Sequence, residues 1–415
     1  MSNLCGIDFG TSNSTIGILK DDKAKLVNLE GLSKTIPSAI FYEEDDNLTV
    51  YGRNALNYYR ENYNGRLLRS LKSILGTSLN NEKTFIRDTR IPFTDIIQDF
   101  FMHIKQQAEH IEQTNLDYAV IGRPINFVDG DDIKNKLAQD TLERIARNAG
   151  FKDIAFQYEP IAASLKYEQS LTNEELVLII DIGGGTTDIS VINLSPKFTN
   201  IKDRNKHCLA NHGVHIGGTD FDKHLNLQSI MPLLGYNQSI GNNMIMPRHL
   251  YHDMSTWHRI NNIYTPEFKR SIMQFKKSLD PIYYNRVLDV IEDKLASSIC
   301  FTVEESKIEL STDISVNKDL SFIEHSLNVD ITQDDLSKAI NNDLQHIGIT
   351  IDECLSQAQI TRDDINSIFL TGGSSQMALI KQYVNSLFPN TKIDNSDSLS
   401  SVGTGLVLDA INKYK

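Results

Sequence analysis

Cysteine, tryptophan, positive charge and long apolar runs are all scarce in this chain of 415 residues. The four cysteines, Cys5, Cys208, Cys300 and Cys354, stand apart with no CxxC spacing, which excludes a disulfide framework or a thioredoxin-like redox motif. They read as reduced, mostly buried small side chains. The longest purely apolar pieces, such as Leu176–Ile180, are of strand length, far short of the roughly 20 residues that a membrane span needs. No basic and then apolar leader precedes Gly6, since the first cation is Lys20, so the expected compartment is the cytoplasm. Acidic residues number 54 against 41 basic, a net charge of −13, and no dense basic run offsets it. Neither a nucleic acid nor a membrane is therefore expected as a partner.

What is present describes a globular α/β protein. Hydrophobic residues make up 40% and charged residues 23%, and the length calls for two or more domains. Strand signals fall at Leu4–Phe9, Ser14–Leu19, Lys25–Leu29 and Ala39–Tyr42. A helix is expected over Thr94–Gln113, with Ile97, Phe100, Phe101, Ile104, Ala108 and Ile111 as its apolar positions. A second is expected near Asp131–Asn148, carrying Ile133, Leu137 and Ile145. Strands Tyr118–Ile121 and Ile154–Gln157 alternate with these helices, and the second runs into Glu159-Pro160, where proline suits a first helical turn. Further helical patterns cover Leu288–Leu310, Leu336–Ala358 and Ala378–Leu387. The tail "SVGTGLVLDAIN" reads as a helix returning to the core.

Two segments carry the chemistry. "DFGTSNSTIGIL" from Asp8 and "DIGGGTTDISVI" from Asp181 align without gaps, aspartate on aspartate and Gly10 on Gly183. Each reads as strand, glycine-rich turn and returning strand, so an internal duplication into two similar lobes is inferred. Glycines let backbone N–H groups converge on an anion, and Thr11, Ser12, Thr186 and Thr187 add hydroxyl donors. An aspartate beside each turn would repel bare phosphate. It becomes favourable if hydrated Mg2+ lies between, because Mg2+ keeps waters and takes few carboxylates. Asp8 and Asp181 are thus the expected metal residues, acting through water. The phosphate residues expected are Gly10, Thr11, Ser12, Gly183, Gly184, Gly185 and Thr186. No GxxxxGK[ST] occurs, and no GxGxxG follows the first strand.

Here the chain resembles the nucleotide-binding domain of the Hsp70 family, within the actin, Hsp70 and sugar-kinase group. "GIDFGTSNS" and "IIDIGGGTTDIS" are similar to its two phosphate motifs, "LTGGSS" to its adenosine motif, "YEPIAAS" to its connecting motif and "IGGTDFD" to its GGxDFD segment. "GRPINF", "FQYEP" and "MPLLG" resemble the YegD-type branch. The resemblance implies an actin-like ATPase fold of duplicated, ribonuclease H-like lobes with an interlobe nucleotide cleft. Lobe I would hold 1–172 plus 395–415. Lobe II would hold 173–394, with a peripheral subdomain at about 228–293 and no peptide-binding domain. It implies binding of ATP and ADP with Mg2+ and slow, partner-stimulated hydrolysis.

The same resemblance assigns roles. Lys72, in "LRSLKSILG", matches a lysine aimed at the γ-phosphate; spacing alone would make it a solvated surface lysine. Glu159 matches a glutamate near metal and attacking water, Thr186 a threonine at the γ-phosphate, and Asp181 the group orienting the water. Gly217 and Gly218 join the phosphate set. Glu304, Lys307 and Ser311, in steps that place them on one helix face, match ribose and base contacts, and Gly372, Gly373 and Ser374 of the adenosine motif join them. Three departures fall on this side: Ile308 and Gln376 stand where arginines are usual and Leu399 where an aspartate is, so cation–π stacking on the base is lost. Unfolded polypeptide, J-proteins or exchange factors are the implied partners. An actin-like filament-forming ATPase and a small-molecule kinase of the same superfamily are the alternatives. "HCLANHGVH" offers His207, Cys208, His212 and His215 at zinc-like spacing but reads as a hairpin. Trp257 reads as part of a small peripheral core.

Overall fold

The computed structural model describes residues 3–61, 63–198, 204–241, 243–394 and 400–415. Leu399 lies outside them. The described chain forms two compact units. One comprises Met1–Gly217, His346–Gln376 and Lys381–Lys415, and the other Gly218–Gln345 and Met377–Ile380.

The first unit contains two sheets of the same design. In one, strand Leu4–Phe9 pairs antiparallel with Asn13–Lys20 and parallel with Tyr118–Arg123; Lys23–Leu26 and Asp153–Tyr158 complete the row at the two ends. In the other, Glu175–Ile182 pairs antiparallel with Thr187–Leu194 and parallel with Ser367–Thr371, with Cys208–Val214 and Lys392–Asp394 at the ends. Order and sense agree strand for strand, so the duplication inferred from two short segments extends to whole sheets. The central strands are buried along nearly their whole length. That suits near-continuous apolar runs covered on both faces.

Helix Phe93–Glu112 covers the first sheet with Ile97, Phe100, Phe101, Ile104 and Ala108. The Phe101 ring packs edge-on against Phe9 with centroids 5.0 Å apart. Ile111, expected on the same stripe, is 42% exposed. Helix Asp132–Asn148 is capped by the Asp131 carboxylate, which accepts from Lys134 N–H at 3.0 Å. Its buried stripe is Asn135, Ala138, Leu142 and Ile145. Ile133 and Leu137 face the other way and are exposed, because one turn of spacing places them opposite that stripe. The single helical pattern expected over Leu288–Leu310 is two helices, Pro281–Glu292 and Ala296–Glu309, separated where Lys294 takes a positive φ of 55°.

Helices Glu159–Glu168 and Ser401–Tyr414 share one apolar core with both sheets. Ile161, Ala162, Leu406, Val407 and Ala410 cluster with Val120 of one sheet and Ile179 and Phe369 of the other. Small residues permit the close approach. A Cβ added at Gly405 would lie 1.7 Å from the Ala162 carbonyl oxygen, and one at Gly6 would lie 2.5 Å from Val407 N.

The second unit is mainly helical, with Gly218–Ser229, Arg248–Met254, Pro281–Glu292 and Ala296–Glu309 around buried Tyr251, Val287 and Ile299. Trp257 packs edge-on against Phe301 with centroids 4.9 Å apart. All four cysteines are free. Among the described residues no helix is long and apolar enough to cross a membrane.

Gly405→Ala would ordinarily favour a helix. Here the added methyl meets backbone that cannot swing aside, so the variant is expected to lose about 1–3 kcal/mol in urea unfolding. Unchanged or increased stability would contradict the close packing of these two helices.

Candidate phosphate and metal site

The first hairpin sets Asp8 opposite Thr15, and the second sets Asp181 opposite Asp188. The turn between Asp8 and Thr15 is held from outside. Ser38 donates its hydroxyl to Gly10 O at 2.7 Å, its N–H to Ser12 O at 2.9 Å, and shares a 2.9 Å hydrogen bond with the Ser14 hydroxyl. The second turn closes on itself through Gly183 N–H to Thr186 O at 2.9 Å, and Ser374 donates to Gly183 O at 3.0 Å.

The two turns meet. A Cβ at Gly184 would stand 2.3 Å from Ser12 Oγ, one at Gly185 would stand 2.7 Å from Thr11 Oγ1, and one at Gly217 would stand 2.6 Å from Gly185 N. Gly372 has φ +84°, and a Cβ there would strike Asp181 Oδ1 at 2.5 Å. Gly10, Thr11, Ser12, Gly183, Gly184, Gly185, Gly217 and Gly372 are therefore drawn around one place, with Gly373 and Ser374 following directly in the chain.

Lys72 is not a surface lysine. It sits in a short 3-10 turn, Leu71–Ile74, is only 6% exposed, and pairs with Glu159 Oε1 at 2.5 Å. Glu159 opens helix Glu159–Glu168, where the helix dipole favours an anion. Gly122 leaves room for it, since a Cβ there would come within 3.2 Å of Glu159 Cγ. Asp188, which sequence reasoning passed over, is 1% exposed and accepts from Ile125 N–H at 2.7 Å. Its signal was available: two aspartates flank the glycine turn symmetrically, so a tight hairpin must set them face to face.

The electrostatics follow from the count. Asp8, Glu159, Asp181 and Asp188 surround one ammonium. Burial, and then the Glu159 charge, push the Asp8 carboxyl up to about 7 against the pull of Lys72. Burial and Glu159 likewise push Asp188 up to about 7, although the Ile125 N–H and Lys72 hold it down. Burial, Glu159, Asp188 and Asp8 raise Asp181 well above the ordinary carboxylate range. Burial alone would lower Lys72, but Glu159 and Asp8 carry it above its usual value. A surplus of buried carboxylate over ammonium is a donor set that a hydrated divalent cation fits. Asp8 and Asp181 are the residues that would hold such an ion through its waters. Among the described residues no three acidic, histidine or cysteine side chains form a direct ligand cluster.

Of the expected adenosine residues, those of the second unit are placed as follows. Lys307 is buried, forms an ion pair with Asp222 Oδ1 at 2.7 Å and donates to Gly218 O at 3.0 Å. Glu304 is half-buried on the same helix, and Ser311 lies just past its end, its hydroxyl 3.4 Å from Lys307 O. Ile308 is 61% exposed. Elsewhere, His212 pairs with Glu353 at 2.8 Å, and His215 gives its backbone N–H to Asp129.

Comparison with known proteins matches residues 4–230 and 271–409 to the family described as Hsp70 protein. The chain is 22% identical over 98% of its length to the chaperone protein HscA homolog of Rickettsia prowazekii, covering 56% of that protein. It is 26% identical over 97% of its length to the chaperone protein DnaK of Thermosipho melanesiensis, covering 58% of it. To DnaK of Nitrosopumilus maritimus it is 24% identical over 99% of its length, covering 56%. The chain thus spans little more than half the length of the curated relatives it matches.

Carboxyl groups whose folded pKa is raised bind protons that the unfolded chain has already released. Stability is therefore expected to fall as pH rises from about 4 through 7, where Asp8 and Asp188 titrate. Asp188→Asn is expected to raise stability at pH 8, without nucleotide or divalent ion, by about 1–3 kcal/mol. Thermal unfolding across pH 5–8 measures both. A flat parent profile, or an asparagine variant no more stable than its parent at pH 8, would contradict the charge surplus.

Proposed function

Because the chain belongs to the Hsp70 family, we propose that it is an Hsp70-like, Mg-dependent ATPase that couples nucleotide state to a polypeptide or co-chaperone partner. The meeting of two glycine turns with half-buried Asp8 and buried Glu159, Asp181, Asp188 and Lys72 carries this reading. We take lobe I to be 1–172 plus 395–415 and lobe II to be 173–394, each owning one of the two sheets, and the motifs "GRPINF" and "MPLLG" support the YegD-type branch. A cytoplasmic location fits the composition.

Each group has a task suited to its chemistry. Backbone N–H groups of the two turns, with the Thr11, Ser12 and Thr186 hydroxyls, offer donors to phosphate oxygens without adding charge. Lys72 brings a cation to the γ-phosphate, close to the leaving oxygen on which negative charge builds as its bond to phosphorus lengthens. Asp181 and Glu159 accept hydrogen bonds from the attacking water and fix its direction. Magnesium, when bound beside Asp8 and Asp181, supplies neutralising charge for the phosphates. Glu304, Lys307, Ser311, Gly372, Gly373 and Ser374 are proposed for the nucleoside, with ADP as the product retained there.

Asp181→Asn and Lys72→Ala are each expected to lower phosphate release on the order of 10²–10³-fold. Adding unfolded polypeptide should stimulate the parent alone. Equal turnover in all three proteins would remove the catalytic assignment. An unstimulated but active parent would remove the chaperone reading.

A further inference from the structure

Arg123 ends strand Tyr118–Arg123 beside Tyr158, the residue before Glu159. The phosphate chemistry above does not employ it. Its guanidinium is fixed on every side: over the Tyr158 ring at 5.1 Å and the Phe127 ring at 5.4 Å, and bonded through Nη1 to Gln139 Oε1. The remaining donors grip the chain that follows. Nε donates to Pro124 O at 3.0 Å, and Nη2 donates to Ile125 O at 2.9 Å.

The Pro124 carbonyl and the Ile125 N–H belong to one peptide group. That N–H donates to Asp188 Oδ1 at 2.7 Å. A cation on the carbonyl end draws electron density from the amide and makes the N–H a stronger donor, as in other polarised chains of hydrogen bonds. Guanidinium, peptide and carboxylate thus form a relay leading to Asp188. Nearby contacts hold its two ends together. A Cβ at Gly213 would lie 2.9 Å from Asp188 Oδ1 and 3.4 Å from Ile125 Cβ, so only glycine lets this loop reach the carboxylate. Asp129, further along the loop, accepts His215 N–H at 2.9 Å.

We propose that Arg123 is a positioning residue for hydrolysis, orienting Asp188 through the Pro124–Ile125 peptide without touching nucleotide. This rests on the ATPase reading above. An arginine is required because two successive carbonyls are held by one planar fork; a lysine offers the charge without the fork. Arg123 therefore acts on how well the site is arranged for reaction and little on how tightly nucleotide is held.

The test compares parent, Arg123→Met, Arg123→Lys, Asp188→Asn and the Arg123→Met/Asp188→Asn double variant, with ATP and Mg2+ as the probe. Arg123→Met is expected to lower kcat about tenfold and leave KM within about twofold, with Arg123→Lys recovering part of the loss. In the Asp188→Asn background, Arg123→Met should cause no further loss, the mark of two residues acting as one unit. Amide hydrogen exchange over 125–128, measured on the nucleotide-free proteins, should accelerate in Arg123→Met and be slower again in Arg123→Lys. An unchanged kcat, losses that multiply in the double variant, or unchanged exchange would each overturn the relay. A parent with no turnover would instead count against the ATPase reading, and the exchange measurement would still decide whether Arg123 holds the Ile125 amide.

Discussion

Four carboxylates, three of them buried and Asp8 half-buried, share one place with a single buried ammonium, and this imbalance governs what the rest of the structure must do. Burying one unpaired charge is already costly, and burying several of the same sign compounds the penalty. Lys72 offsets part of it by its 2.5 Å contact with Glu159. The helix start at Glu159 and the Ile125 N–H on Asp188 offset more. The remainder stays as raised carboxyl pKa values. Acids poised near neutrality in a rigid, enclosed setting are characteristic of a site that accepts a cation with an anionic ligand.

Rigidity comes from the duplication. Each hairpin is anchored by a parallel neighbour on its far side, which pairs with Asp181 itself through Thr371 and, in the first sheet, with Ile7 just before Asp8. The turns themselves are fixed by side chains distant in sequence, Ser38 for one and Ser374 for the other. Where the turns meet, the lack of a side chain serves packing more than backbone freedom. Gly184, Gly185 and Gly217 leave space that a methyl group would occupy. The same device recurs in the core at Gly6 and Gly405, where backbone lies on backbone.

Much of this was legible in the sequence because it lies in local patterns. The paired "DxG" turns gave both hairpins, and the spacing of Ile97, Phe100, Phe101 and Ile104 gave the long helix and its buried face. What was not legible depends on partners far away in the chain. Lys72 looks like a surface residue until Glu159, 87 positions later, folds against it. Asp188 occupies a strand position that alternation alone would accept as polar and outward, and only the register with Asp181 and the bond from Ile125 give it a place in the cluster. Ile133 and Leu137 misled in the opposite direction. A pair of aliphatic residues one turn apart suggests a buried stripe, yet the buried face is drawn by Asn135 and Ala138, which periodicity weighs lightly.

Protons and a bound cation are alternative answers to the same surplus of negative charge. A protein that holds protons on Asp8 and Asp188 near neutrality is one whose fold is under strain from those groups once they are lost. A ligand that brings positive charge to them recovers that stability and binds with the energy recovered. On the proposed ATPase reading, the strain of the unneutralised cluster and an affinity for a metal-bearing ligand would be a single property seen from two sides. Substituting Asp8, Asp181 or Asp188 by asparagine is expected to relax the first and weaken the second together. This is why the cluster is held by glycine contacts and serine hydrogen bonds, which add no charge, and why the guanidinium nearest to it is turned toward backbone carbonyls, from where it acts on Asp188 without neutralising it.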